Sequence, residues 1–538
     1  IKKMKKLILL FSLFTMTSVF SQVSQQWAAR YSASGGQDTP MDMAIDASGN
    51  VYVTGTSTVN STSSDFLTVK YNSAGIQQWE ARFTGIGGAN NDDAYSIGLD
   101  ASGNVYVGGT SFGGGTGLDI MIVKYSSAGN LIWEVRYTNA EARDDELSRM
   151  IVDASGNIYA AGVSTYLSTQ KDFVTLKYNS SGQLQWVKNY SNGSNNDYLT
   201  NLFVDAAGAV YVTGYSFVPG SSYDFVTIKY NAAGVQQYYH TLNAGGEDVA
   251  TDIAVDASGN AYIGAYTDAY GTGLDYLTYS LDPAGNFRWL QRYNGPVNGE
   301  DRPLSILVDP AGNSVITGYS NQGGTGNDAV TIKYNSAGTQ QWIRTLNVGG
   351  DDRVFDMSSD AAGNLYLTGR TNAYGTADDF LTCSYSAAGD FRWLMAYNNP
   401  AANLNDYAVK ILTDNQGNVY VIGASNGGGN DYLTIKYAST TGIEITNNQA
   451  PEKFLLSQNY PNPFNPSTNI NFSIPVSSFV SLKIYDINGR EVSDLVNKLL
   501  DAGAYNISFD ASSLTSGLYF CRISANNFTD TKKMILIK

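Results

Sequence analysis

Short runs that alternate apolar and polar residues recur along most of the chain, each closed by a turn rich in Gly, Asn, Asp or Ser. Val51-Tyr52-Val53-Thr54 is representative, and its period of two predicts a strand with two distinct faces. The turn before it, Asp46-Ala47-Ser48-Gly49-Asn50, recurs at Asp100, Asp153, Asp205, Asp256, Asp309, Asp360 and Asp414, at spacings of 51 to 54 residues. Each copy holds four strand-like runs, which in the second copy fall at 94–99, 105–110, 120–125 and 131–137. Four strands per unit of about 50 residues, repeated eight times, predict an all-β fold, an eight-bladed β-propeller with four-stranded blades.

The turns carry their own chemistry. The Asp side chain accepts backbone hydrogen bonds two residues on, and Gly49 supplies the left-handed conformation that closes a tight hairpin. A second hairpin, Asn72-Ser73-Ala74-Gly75, recurs with variations, and four residues after its Gly stands an aromatic: Trp79, Trp133, Trp186, Tyr238, Trp289, Trp342 or Trp393. With Trp27 these account for all 7 Trp, and packing between neighbouring blades explains them. The chain enters with Gln26-Trp27-Ala28-Ala29-Arg30-Tyr31, an orphan fourth strand, and leaves the eighth repeat after three strands. The N-terminal strand is therefore expected to close the last blade, removing the open edge that would invite aggregation.

Composition narrows the function. A net charge of −15 repels phosphate backbones, so nucleic acid is excluded as a partner, whereas a cation or a neutral polymer fits. With His240 as the one histidine, imidazole chemistry has almost nothing to build on, and Cys383 and Cys521 lie in different segments, leaving no intradomain disulfide. Lys2, Lys3, Lys5 and Lys6 precede an apolar run over 7–14, which reads as a signal peptide over 1–21, with initiation expected at Met4 and cleavage before Gln22. That run is too short to span a bilayer, and no transmembrane segment is expected in the mature chain.

The pattern D-x-x-G-N-x-Y-x-x-G followed by D-[FY]-x-T-x-K-Y resembles the bacterial β-propeller repeat family abbreviated SBBP, and it covers nearly all of 22–437. The Gly-to-Trp spacing is also similar to the tryptophan-docking repeat of quinoprotein propellers, though nothing in the chain looks like a quinone site. Architecture alone is carried over from these families.

The expected domains are the propeller over 22–442, a polar linker over 443–455 and a small Ig-like β-sandwich over 456–538. The last has alternating runs at 470–474, 480–485, 505–509, 518–523 and 533–537. It resembles the type A C-terminal sorting domain of the type IX secretion system. The matching residues are Pro461, Asn462, Pro463, Phe464, Asn465 and Pro466, the Ile484-Tyr485-Asp486 run with Gly489, Gly517-Leu518-Tyr519, and the basic Lys532-Lys533-Met534. The resemblance implies export by the type IX machinery to the outer surface of a Gram-negative, Bacteroidota-like cell, or release from it.

In a propeller, the hairpins joining first to second and third to fourth strands share one face, and here they are nearly uniform. The other connections share the opposite face and vary in sequence, which makes that face the expected seat of function. It should also carry two complete sets of Asp. One set is Asp38, Asp92, Asp145, Asp197, Asp248, Asp301, Asp352 and Asp406; the other is Asp65, Asp119, Asp172, Asp224, Asp275, Asp328, Asp379 and Asp431. Clustered hard oxygens suit calcium, and the first, innermost set would be the metal site; the competing role is to cap each loop through backbone N–H groups. Two carboxylates ~10 Å apart at an effective dielectric of ~20 repel by roughly 1.7 kcal/mol, so a ring of bare charges needs screening. No other cofactor is expected.

No catalytic residues stand out. Carboxylates that break the repeat, Glu141, Asp144, Glu146, Glu247 and Glu300, offer pairs for a polysaccharide-active enzyme, and solvated charge is their simpler account. Loop aromatics Phe112, Tyr166, Phe217, Tyr223, Tyr270 and Tyr374 offer sugar stacking, or ordinary packing. Ser280-Leu281 and Cys383-Ser384, which replace the usual repeat residues, read as neutral drift. The favoured function is a non-enzymatic surface or secreted module that binds a glycan or protein; an enzyme and a structural envelope component are the alternatives.

Overall fold

The computed structural model describes residues 23–439 and 443–538, apart from 34–35, 59–62, 87–90, 194, 221, 325, 374–376, 400–403, 428, 448–450, 477, 501, 512–513 and 527. The signal peptide assigned to 1–21 lies outside the described residues. The chain divides into two compact units, one spanning Gln25–Ala438 and the other containing Ser439–Lys538.

The first unit is an eight-bladed propeller of four-stranded antiparallel sheets. Blades one to seven open at Asp38, Asp92, Asp145, Asp197, Asp248, Asp301 and Arg353, each running through four consecutive strands. Blade eight combines Asp406–Thr413, Val419–Asn426 and Asn430–Ser439 with the N-terminal strand Val23–Tyr31. The closure expected from the orphan strand is thus present. First strands of successive blades neighbour one another around the ring, including those of blades eight and one.

Local chemistry explains the repeat. Asp46 Oδ1 accepts the N–H groups of Ser48 and Asn50, both at 2.9 Å, and its Oδ2 accepts Asn50 Nδ2 at 2.7 Å and Tyr52 Oη at 3.1 Å. Gly49 takes a φ of +75° to close the turn. A Cβ on Gly55, the last glycine of the motif, would stand 2.1 Å from the Thr39 carbonyl, a close approach that favours glycine here, while blade five accommodates Ala265 at the same position.

Apolar side chains pack between blades rather than within them. Tyr52, Phe66 and Phe83 of blade one join Ile97, Val107 and Met121 of blade two in one cluster. Burying each such side chain contributes roughly 1.5–3 kcal/mol. On the uniform face the seam of blades one and two carries a clasp: Lys70 Nζ at 3.2 Å and Trp79 Nε1 at 3.1 Å both donate to the Ser127 carbonyl of the next blade. In blades five and seven the Lys is replaced by Ser280 and Ser384. There Arg288 and Arg392, from the fourth strand, donate to those serines and lie 5.7 Å from the rings of Tyr262 and Tyr366. The substitutions read as drift are therefore a matched exchange of two positions.

The second unit packs two four-stranded sheets around one core that includes Phe464, Ile470, Leu482, Ile507, Ile523 and Met534. The stretch 443–455, read as a linker, contributes strands instead: Ile443–Asn447 pairs with Gly503–Asp510, and Leu455–Leu456 with Ser467–Ile474. Its polar composition concealed this, because a sheet edge offers backbone pairing to any segment that can extend. The strand Glu491–Leu500 was also missed; register shifts at Leu482/Lys483 and Ile484/Tyr485 break its alternation. No helix of the described residues is long and apolar enough to cross a membrane.

Candidate functional site

Each blade carries an in-register row of Asp, Ser or Thr, and Asp across its first three strands, as in Asp38–Ser57–Asp65 and Asp92–Ser111–Asp119. The first-strand Asp set is 0–2% exposed, which decides its energetics, since charge without partners is costly at such burial. In every blade Oδ2 accepts one backbone N–H at 2.6–2.8 Å from the preceding crossing, donated by Ala33, Gly85, Asn139, Asn192, Ala244, Gly295, Val348 or Asn399. Ser57, Ser164 and Ser216 donate to Oδ1 of Asp38, Asp145 and Asp197. These are loop caps in geometry.

The third-strand Asp of one blade meets the first-strand Asp of the next. Burial pushes Asp145 and Asp197 up to about 6 despite their donors, and Asp119 and Asp172 across the seams add to the rise. Burial also raises Asp38, Asp248 and Asp301, with Asp431, Asp224 and Asp275 adding in turn. In four blades a fourth-strand arginine supplies counter-charge. Arg136 donates to Asp119 at 2.8 Å and Ser111 Oγ at 2.9 Å; Arg30 reaches Asp431 at 2.7 Å and Arg292 reaches Asp275 at 2.8 Å. Arg82 lies 3.7 Å from Asp65. The same register holds Asn189, Thr241, Thr345 and Ala396 in blades three, four, six and seven. Every side-chain acceptor is a hard oxygen, yet the acids are spread along the seams. Among the described residues no three His, Cys, Asp or Glu side chains are grouped to hold a metal ion.

A second polar ring escaped the sequence reading. Four residues after each first-strand Asp stand Asp42, Ser96, Arg149, Asn201, Asp252, Ser305, Asp356 and Lys410. A bulge precedes each on the innermost strand and leaves an N–H to be satisfied, as at Pro40/Asp42 and Leu147/Arg149. At four seams the ring residue takes that N–H from the next blade: Ile97 to Asp42 at 3.1 Å, Met150 to Ser96 at 3.1 Å, Ile306 to Asp252 at 2.8 Å and Ile411 to Asp356 at 2.9 Å. Leu202, which follows the donor Arg149 around the ring, is served by its own neighbour Asn201 at 2.8 Å. Asp42 holds the Arg149 guanidinium above its usual range, against burial, and Asp356 and Asp252 add to the effect. Acids from three other blades thus converge on one arginine around the axis. The sequence signal was a polar residue at a fixed offset within an otherwise apolar strand, identical in place and different in kind.

On the variable-loop face, the residue after the first-strand Asp pairs with one on the second strand. Around blades four to seven these pairs are Tyr198–Tyr215, Val249–Tyr266, Arg302–Tyr319 and Arg353–Arg370. Tyr198 and Tyr215 stack at 5.1 Å, and Tyr223 meets Tyr215 edge-on at 5.0 Å. Arg302 lies 4.7 Å over the Tyr266 ring and Arg353 lies 4.4 Å over Tyr319. Burial pushes the Tyr215 phenol up to about 12, with Tyr266, Tyr198, Tyr223 and Glu247 contributing, which places Glu247 beside this group. Blades one and two present small polar groups instead: Thr56 and Ser64 donate to Asp93 at 3.2 and 2.8 Å.

Most of the carboxylates considered for catalysis are engaged. Glu141 accepts the Leu167 N–H at 2.7 Å, Asp144 the Leu118 N–H at 2.9 Å, Glu146 pairs with Lys171 at 2.7 Å, and Glu300 pairs with Arg302. Among the loop aromatics, Phe217 packs on Tyr223 at 5.6 Å, Tyr270 lies under Arg292 at 4.1 Å, and Tyr166 accepts from Asn189 at 2.7 Å. Phe112 is part-buried at the end of its strand, and Tyr374 lies outside the described residues.

In the C-terminal unit, the Pro461–Pro466 segment is strapped to the last strand. Asn462 Oδ1 accepts the Ile535 N–H at 2.9 Å and its Nδ2 donates to the Lys533 carbonyl at 2.9 Å, while Phe464 exchanges backbone bonds with Ile535 and Ile537, both at 2.9 Å. Phe464 itself enters the core. Gly489 turns with a φ of +77°, and Tyr519, two residues after Gly517, donates to the Thr515 carbonyl at 2.8 Å.

Compared with known proteins, residues 26–61 match the SBBP beta-propeller repeat and residues 458–538 match the secretion system C-terminal sorting domain. No curated protein matches the chain. Among solved structures, PorZ, a surface component of the type-IX secretion system of Porphyromonas gingivalis, is 13% identical, with a TM-score of 0.29 over 92% of this chain and 74% of its own. The polysaccharide lyase Uly1 is 12% identical, with a TM-score of 0.39 over 63% of this chain and 89% of its own. An ulvan lyase of family PL25 is 11% identical, with a TM-score of 0.37 over 75% and 94%. Likeness at these scores carries no argument about function.

Proposed function

We propose that this chain, directed to the cell surface or beyond the cell by its type IX sorting domain, is a binding module that engages its ligand at the channel mouth on the variable-loop face without altering it covalently. The observation that carries this reading is the division of labour among side chains there. The candidate acid–base groups Glu141, Asp144, Glu146 and Glu300 are committed to backbone N–H groups or to Lys171 and Arg302, whereas aromatic and guanidinium groups gather across blades four to seven. General acid–base work on a glycosidic bond needs two carboxylates flanking one point, and tethered acids serve it poorly.

The test incubates the intact exported chain with polysaccharides and peptides, measuring retention on the immobilised polymer and release of shorter products. Retention with the polymer recovered unchanged supports the reading. Product release lost in Glu247→Gln or Glu300→Gln would replace it with an enzyme.

A further inference from the structure

We infer that the ligand of the channel mouth is a neutral polysaccharide chain held along blades four to seven, an inference that rests on the binding reading above. The first argument is electrostatic. The chain carries a net charge of −15, which disfavours the long-range approach of a polyanion. Within the arc, each of Arg302, Arg353 and Arg370 is matched by an acid: Arg302 pairs with Glu300, Arg353 with Asp351 at 2.9 Å, and Arg370 with Asp351 at 3.2 Å and with Asp378. The arc therefore offers no surplus positive charge for an acidic polymer. What it presents is guanidinium donors beside carboxylate acceptors, the pairing that adjacent sugar hydroxyls satisfy in both senses.

The second argument is shape and rigidity. Tyr198, Tyr215 and Tyr223 form one packed aromatic group, with centroids 5.0–6.2 Å apart. All three are part-buried, so each ring is fixed by its neighbours and keeps an accessible portion. The C–H face of a pyranose packs on such a surface at little cost in side-chain entropy. The groups continue across successive seams: Arg302 of blade six lies over the buried ring of Tyr266 of blade five, and Arg353 of blade seven over the buried ring of Tyr319 of blade six, so beyond blade four the guanidinium groups form the surface. A track spanning four blades fits an extended polymer better than a single sugar. In blades one and two the hydroxyl groups of Thr56 and Ser64 around Asp93 occupy this place, without a comparable aromatic group among the described residues there.

The experiment immobilises the intact chain and measures binding of neutral glucans and mannans, of alginate and pectate, and of a peptide library. The variants are Tyr198→Ala, Tyr215→Ala and Arg353→Ala in the arc, Tyr215→Phe as the conservative control, and Thr56→Ala on the opposite rim. Thermal melts confirm that each variant is folded. Expected are binding to a neutral polysaccharide, at least tenfold weaker binding in each alanine variant of the arc, near-normal binding in Tyr215→Phe, and no change in Thr56→Ala. Equal or tighter binding of alginate or pectate overturns the neutral assignment. Binding insensitive to the arc variants overturns the site. A peptide bound through the arc with no polysaccharide bound overturns the saccharide inference and leaves the binding reading standing; no binding of any probe removes both.

Discussion

Blades one, two, five and eight carry an arginine that reaches the third-strand aspartate, and blades three, four, six and seven hold the same aspartates without it. Both groups fold to the same row of Asp, hydroxyl and Asp. The row is therefore not built around the ion pair: backbone N–H caps and hydroxyl donors suffice to place it. Nor does the arginine set the charge state of the facing acid: Asp145, opposite the Arg136-paired Asp119, and Asp197, opposite Asp172, are both pushed up to about 6 by burial.

The comparison is broken most forcefully by removing one acid from each kind of blade. Asp119→Ala in blade two strands Arg136 and is expected to cost about 3–5 kcal/mol, whereas Asp172→Ala in blade three leaves no cation behind and should cost about 1–2 kcal/mol. Denaturant unfolding of the two variants measures the difference, and equal losses would mean that the arginine is irrelevant to its row.

Next comes pH. Asp145 and Asp197 have folded pKa values near 6, above the ordinary 3.8, so the folded state binds protons more tightly than the unfolded chain in that interval. Stability should rise as pH falls from 7 through 6 toward 4. The turn aspartates act oppositely: against burial, amide, hydroxyl and backbone donors hold Asp46, Asp100 and Asp256 below 3.8, and their stabilisation is lost below about pH 4. Melts across pH 3–8 should therefore peak near pH 4–5.

A smaller effect follows from converting one blade into the other kind. Asn189→Arg places a guanidinium beside Asp172; it should stabilise the protein by up to about 1 kcal/mol at pH 7, and denaturant unfolding measures it. Smallest is the response to calcium. With the first-strand acids capping their crossings, calcium or chelator is expected to move the melting temperature by less than about 1 °C. A larger rise would assign the seams as cation sites after all.

Fold was legible because the repeat states one local solution eight times, in Asp46-to-Asn50 turns and alternating strands. The Asp sets were legible as positions, but not their mutual arrangement, since Asp172 meets Asp197 only when blades pack side by side. The axial ring was missed because a bulge on the inner strand shifts the alternation on which the reading relied, hiding Arg149 and Asp252 among apolar neighbours. The aromatic group was half legible: Phe217 and Tyr223, expected in loops, lie at strand ends and were found, while Tyr198, Tyr215 and Arg353 lie in the same kind of strand, where nothing local distinguishes them from packing residues.

The strand Val23–Tyr31 has a consequence for how the chain comes into being. Arg30 bonds Asp431, 401 residues away, so the first piece of the propeller to be synthesised has no place to rest until the last repeat exists. Every chain cut short within the repeats keeps an orphan strand at one end and a ragged edge at the other. Closure thus acts as a proof of completeness: only a chain that has made all its blades can hide its own beginning.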